Sequence, residues 1–150
     1  MTNLLYITGK NAAVSFTVRP VGDSLRQGQG ANIGHDGVIA EGPFRAAAVG
    51  VPNTETVTAY HPGTGELVWQ TEFPTTSSIG SAGNFVTAGN LVFQGSESGT
   101  FYAFDARTGG QLFTYQAPRS IRTSPLTFTA SGKQYVTVVA TNAVVTFGLP

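Results

Sequence analysis

The chain has 150 residues, eight basic and eight acidic, for a net charge of zero; 41% are hydrophobic, 19 are glycine and none is cysteine. Scattered, balanced charge excludes an electrostatic surface for nucleic acid or anionic membrane, and the lack of thiols excludes disulfides, a cysteine nucleophile and cysteine-ligated metals. No apolar run reaches the length of about 18 residues that a membrane span needs, and Met1-Thr2-Asn3 lacks the basic start of a signal peptide.

Residues 1–18 read as a first hairpin, opened by the β-rich run Asn3-Leu4-Leu5-Tyr6-Ile7-Thr8-Gly9. Residues 19–54 read as an irregular insertion, because Pro20, Gly22, Gly28, Gly30, Gly34, Gly37, Gly42, Pro43 and Pro52 interrupt every periodic pattern. The spacing of Gly28, Gly30 and Gly34 misses the dinucleotide-binding fingerprint by one residue and follows no strand-to-helix pattern, so it is turn chemistry. Phe44 to Val49 is the best helix candidate and is stopped by Gly50 and Pro52. His35 and His61 are the two histidines; they lie far apart without a carboxylate at ligand spacing, which marks turn or surface residues rather than metal ligands.

Residues 55–150 repeat. Ala59-Tyr60-His61-Pro62-Gly63-Thr64-Gly65-Glu66-Leu67-Val68-Trp69 returns 44 residues later as Ala103-Phe104-Asp105-Ala106-Arg107-Thr108-Gly109-Gly110-Gln111-Leu112-Phe113. Each copy reads as strand, turn, strand, and Ala143 to Phe147 starts a third copy shifted by one residue. The opening strand recurs as well, since Asn3 to Gly9 resembles Asn90 to Gly95. A strand-built repeat of roughly 40–50 residues is the mark of propeller blades, each of which buries its faces against its neighbours. The fold class is therefore all-β, a partial β-propeller of two to three four-stranded antiparallel blades with docking-type repeats. Propellers close with about four blades or more, so the open edges and faces call for the remaining blades of a longer chain or for self-association. Gly95-Ser96-Glu97-Ser98-Gly99 has Glu where a nucleophile elbow has Ser and reads as a hairpin turn, and Arg119 and Arg122 read as solvent-exposed.

The pattern Ala-x-Asp-x-x-Thr-Gly-x-x-x-Trp resembles the tryptophan-docking motif of the pyrroloquinoline-quinone (PQQ) dependent alcohol dehydrogenases, which are eight-bladed propellers. The runs Thr87 to Gly95, Ser124 to Phe128 and Gly132 to Val136 are similar to the same quinoprotein family, in the order found near its C-terminus. This chain departs once per copy, with His61 in place of Asp and Phe113 in place of Trp. A docked Trp lies between blades and its indole N–H needs an acceptor once buried; Phe keeps the apolar contact and loses the hydrogen bond.

The resemblance implies an oxidoreductase whose quinone is polarised by Ca²⁺ or a lanthanide, and whose catalytic Asp and metal ligands lie upstream of the stretch this chain resembles. No catalytic or metal-binding residue is therefore assigned here. Family contacts to the quinone fall at Lys10 and Asn11, where the family has an Asn pair, and in the run Ser77 to Gly83, at Ser81, where this chain lacks the family's Trp. Asn is also favoured as a plain turn residue, and that reading of Asn11 stands beside the first. The family implies a periplasmic location. The expected function is a C-terminal propeller segment of a quinoprotein alcohol dehydrogenase-like oxidoreductase, inactive by itself; a non-catalytic propeller scaffold that binds partner proteins and no quinone is the alternative.

Overall fold

The computed structural model describes residues 2–11, 53–75 and 82–148. Most of the expected insertion over 19–54, His35 and Ser81 lie outside the described residues. Ten strands follow one another: β1 (Leu5–Asn11), β2 (Thr54–Tyr60), β3 (Leu67–Pro74), β4 (Asn84–Val86), β5 (Leu91–Gly95), β6 (Thr100–Asp105), β7 (Gln111–Gln116), β8 (Leu126–Ala130), β9 (Lys133–Ala140) and β10 (Ala143–Gly148). They form three antiparallel sheets, β1-β2-β3, β4-β5-β6-β7 and β8-β9-β10. The all-β, blade-like reading holds, and among the described residues only the middle sheet has four strands. Lys10 and Asn11 lie within β1, so neither is a turn residue; β1 pairs with β2 from Leu5 opposite Tyr60 to Asn11 opposite Thr54. The described part of the first hairpin thus finds its partner beyond the insertion.

The 44-residue repeat is reproduced in register. Ala59 stands opposite Trp69, and Ala103 stands opposite Phe113, each just before a bulge. The bulge adds one residue at the same place in both hairpins, which turns the outer strand and aims its aromatic at the next sheet. Because side chains alternate along a strand, each sheet has one face toward each neighbour.

Two apolar layers result. Val57, Ala59, Trp69 and Phe73 of the first sheet pack against Val92, Tyr102 and Phe104 of the second, with Tyr6 at the margin. Phe93, Phe101 and Ala103 of the second sheet pack against Val136 and Val138 of the third, with Phe147 at the margin. Rings carry much of both layers: Phe73 and Tyr102 lie 4.7 Å apart, and Phe101 and Phe147 lie 5.2 Å apart. Leu126, Phe128 and Val144 of the third sheet, and Leu5 and Ile7 of the first, remain exposed on the two end faces.

Candidate functional site

Trp69 is the structural signature. Its ring is buried, its Nε1–H donates to the carbonyl of Ala106 at 2.9 Å, and Tyr6 Oη donates to the same carbonyl at 2.9 Å. Thr71 Oγ1 adds a bond to the carbonyl of Gly109 at 2.8 Å. Gly109 has a φ of 72° and lies flat on the indole, where an added Cβ would stand 2.5 Å from Trp69 Cε3. Glycine is required there twice over, by the left-handed backbone and by the approach of the ring. The expected acceptor for the indole is thus found in the turn of the next repeat; the share of Tyr6 in that carbonyl was not legible from the sequence.

Asp105 closes that turn from within. One carboxylate oxygen accepts from the backbone N–H of Arg107 at 2.8 Å and of Thr108 at 3.0 Å. These bonds favour the charged form and hold the Asp105 carboxyl below the ordinary aspartate range. At the matching place His61 lacks such a carboxylate, and its turn is held by backbone bonds, His61 N–H to the Glu66 carbonyl at 2.9 Å and Gly65 N–H to the His61 carbonyl at 2.8 Å, and by Thr64 Oγ1, which accepts from the Glu66 N–H at 3.2 Å.

Phe113 repeats Trp69 in position but not in contact. It is half-exposed and meets Phe147 edge-on at 5.6 Å. Beside it lies an apolar cleft of about 300 Å³ lined by Leu91, Phe101, Leu112, Phe113, Phe147 and Gly148 among others. The place that corresponds to the Ala106 turn in the next repeat begins at residue 149, outside the described residues.

The opposite end of the first sheet holds Lys10 and Asn11. Lys10 Nζ donates to Glu97 Oε2 at 3.0 Å and stands 3.7 Å from Glu55 Oε1. Arg122 Nε meets the other oxygen of Glu97 at 2.9 Å. Glu55 is fully buried; it accepts from Thr75 Oγ1 at 2.9 Å and from the backbone N–H of Glu97 at 3.4 Å, while its Oε2 has no hydrogen-bond partner. This network ties all three repeats together, since Lys10 and Glu55 belong to the first sheet, Glu97 to the β5–β6 turn and Arg122 to the connection before β8. Asn11 is exposed, and its amide lies 3.4 Å from Thr54 Oγ1 and 3.5 Å from Glu72 Oε1.

Sequence reading took Glu97 for a plain turn residue and passed over Glu55. The available signal was a glutamate inside the β-rich run Thr54-Glu55-Thr56-Val57, which a strand buried on both faces tolerates only with a countercharge. Arg122 projects into solvent as expected, yet its guanidinium is engaged. Among the described residues, no three His, Asp or Glu side chains are placed to hold a metal.

A quinone with three carboxylates and a flat ring system asks for excess positive charge, free donors and an aromatic wall. Lys10 is matched by Glu97 and Glu55, and Asn11 is turned to Thr54 and Glu72. These two residues alone do not fit the cofactor, and no chemical step is derived through it.

Sheets stacked face to face and latched by an aromatic on the next repeat's turn define a segment of a tryptophan-docked β-propeller. Residues 71–136 match the β-propeller domain of the glucose/ethanol/alcohol dehydrogenases that use PQQ, a stretch that contains the whole four-stranded sheet. The chain is 47% identical over 58 residues to the dehydrogenase subunit of the quinone-dependent alcohol dehydrogenase of Gluconobacter oxydans, covering 39% of this chain and 8% of that protein. It is 38% identical over 97 residues to the quinoprotein alcohol dehydrogenase PedE of Pseudomonas putida, covering 63% of this chain and 15% of that protein. The solved structure of the quinohemoprotein alcohol dehydrogenase ADHIIG of Pseudomonas putida superposes with a TM-score of 0.67 and 25% identity, over 95% of this chain and 21% of that one. The resemblance to the quinoprotein alcohol dehydrogenases holds in sequence and in fold, and this chain spans a small part of their length.

Proposed function

We propose that this chain is a segment, from the C-terminal part, of the propeller of a quinoprotein alcohol dehydrogenase-like oxidoreductase. The observation that carries the reading is the match over residues 71–136, where sequence likeness and the docked blade coincide. In this reading the chain supplies blades and one edge of the cofactor chamber, with Lys10, Asn11 and Ser81 at its rim, and the remaining blades supply the catalytic base and the Ca²⁺ or lanthanide site. The location is periplasmic, as the likeness suggests. In this reading the chain alone is inactive, because the catalytic base and the metal ligands belong to the remaining blades.

Two measurements test this. The chain mixed with quinone and Ca²⁺ is expected to show no dye reduction with primary alcohols, and no quenching of Trp69 fluorescence at micromolar quinone; turnover or tight binding would mean a complete site and overturn the segment reading. A chimera of PedE carrying residues 71–136 in place of its matching stretch is expected to load quinone. Failure of a folded chimera to load it would remove the dehydrogenase lineage from the reading.

A further inference from the structure

Among the described residues, two side-chain acceptor oxygens are buried without a hydrogen-bond partner, Asn53 Oδ1 and Glu55 Oε2. Register puts them together. The β2–β3 ladder runs one pair beyond Thr54 opposite Pro74, since the Thr75 N–H donates to the Asn53 carbonyl at 3.2 Å. Side chains alternate along an extended strand, so Asn53 and Glu55 project from one face of the first sheet. Thr75, across from Asn53, projects from the same face, and its Oγ1 donates to Glu55 Oε1 at 2.9 Å. Lys10, opposite Glu55 on β1, shares that face. It is the face turned to the second sheet, because the backbone N–H of Glu97 reaches Glu55 Oε1 at 3.4 Å and Lys10 Nζ reaches Glu97 Oε2. Both sheets that enclose the two oxygens belong to the described residues, so their burial does not depend on further blades.

Charge does not balance there either. Glu55 and Glu97 are both buried, and the ammonium between them bonds Glu97 at 3.0 Å while standing 3.7 Å from Glu55. Arg122, the remaining cation, meets the other oxygen of Glu97 and has a side chain 71% exposed, where solvent screens its charge. Glu55 is therefore a buried carboxylate with one oxygen bonded and the other bare, which is costly in a low-dielectric interior. A water molecule supplies donors to both bare oxygens but no charge; a cation meets both needs. We propose that Asn53 Oδ1 and Glu55 Oε2 hold a hard monovalent cation, Na⁺ or K⁺, between the first and second sheets. A carboxylate and an amide carbonyl are hard oxygen ligands, and one carboxylate in excess calls for a single positive charge rather than two. The site is separate from the Ca²⁺ or lanthanide site that the functional reading gives to the remaining blades. Nothing in this inference depends on the quinone, so its failure leaves that reading untouched.

Urea unfolding of the full chain in the chlorides of sodium, potassium, calcium and choline, matched in ionic strength, tests it. The expected midpoint is higher in sodium or potassium than in choline and rises with cation concentration, as linkage to the folded state requires. Glu55→Gln removes the charge at nearly constant shape. Asn53→Ala removes the other oxygen just before β2, and it serves where the fully buried variant does not fold. Each variant is expected to lose the gap between the alkali cations and choline. Equal midpoints for the parent chain in all four salts would overturn the proposal and leave the two oxygens to water. A gap that appears in calcium alone would overturn it too, since the charge count would be wrong, and a gap that survives in the folded variants would place the cation elsewhere and overturn this site.

Discussion

Trp69 shows how one side chain joins two repeats by separable interactions. Its ring fills the space under Gly109, and its N–H pairs a carbonyl that would otherwise be partly unmet. Trp69→Ala removes both and is expected to cost about 3–5 kcal/mol, read as a fall in the urea midpoint. Trp69→Phe keeps most of the apolar contact and is expected to cost about 1–2 kcal/mol, the value of a hydrogen bond whose acceptor stays bonded to Tyr6. Equal losses for the two variants would show that the hydrogen bond, and not the ring, holds the sheets. Phe113→Trp enters a cleft with room for it and is expected to raise the midpoint or leave it unchanged.

At the scale of the element, the two turns are an internal control for docking. Gly65 and Gly109 share a φ of 72°, yet a Cβ on Gly65 would meet nothing within 4 Å while one on Gly109 would strike the indole. Gly65→Ala is expected to cost about 1 kcal/mol, the strain of a left-handed alanine. Gly109→Ala carries the same strain and in addition lifts Trp69 off the turn, so its loss is expected to be at least twice as large in urea unfolding. If the two variants match, the turn and the indole are not in tight contact. The same comparison accounts for Asp105 and His61: the turn that receives a docked ring is braced by a carboxylate, and the one that receives none among the described residues is held by backbone bonds.

At the scale of the whole molecule, the inter-sheet latches differ in kind. Trp69 joins the first two sheets through an apolar contact near their outer strands, whereas Lys10, Glu55 and Glu97, with the exposed Arg122 at their margin, join three repeats through charge. A buried pair contributes little net stability over apolar replacements but is costly to break from one side. Lys10→Met is therefore expected to destabilise by about 3 kcal/mol, because Glu55 then remains buried without its cation. Lys10→Met with Glu55→Gln should recover much of that loss in the same urea assay. A single variant that unfolds like the parent would show that Lys10 is not coupled to Glu55, and would favour Lys10 as a free contact for an anionic ligand.

Sequence by itself determined the repeat, the strand-turn-strand unit and the docking role of Trp69, because those depend on local turn chemistry and on a period that any copy can be compared against. It also carried the family likeness, which lives in short contiguous runs such as Thr87 to Gly95. Only the tertiary structure decided what β1 pairs with, since Leu5 and Tyr60 are brought together across a long connection that no local pattern encodes. The partners of Lys10 likewise came from packing: Glu55 is 45 residues away and Glu97 still further, and charge at such separations is silent until stacked sheets bring it within 4 Å. The bare end faces belong to the same class. Val57 and Phe101 are core because a following sheet covers each, while Val144, at the equivalent place, is covered by no sheet among the described residues.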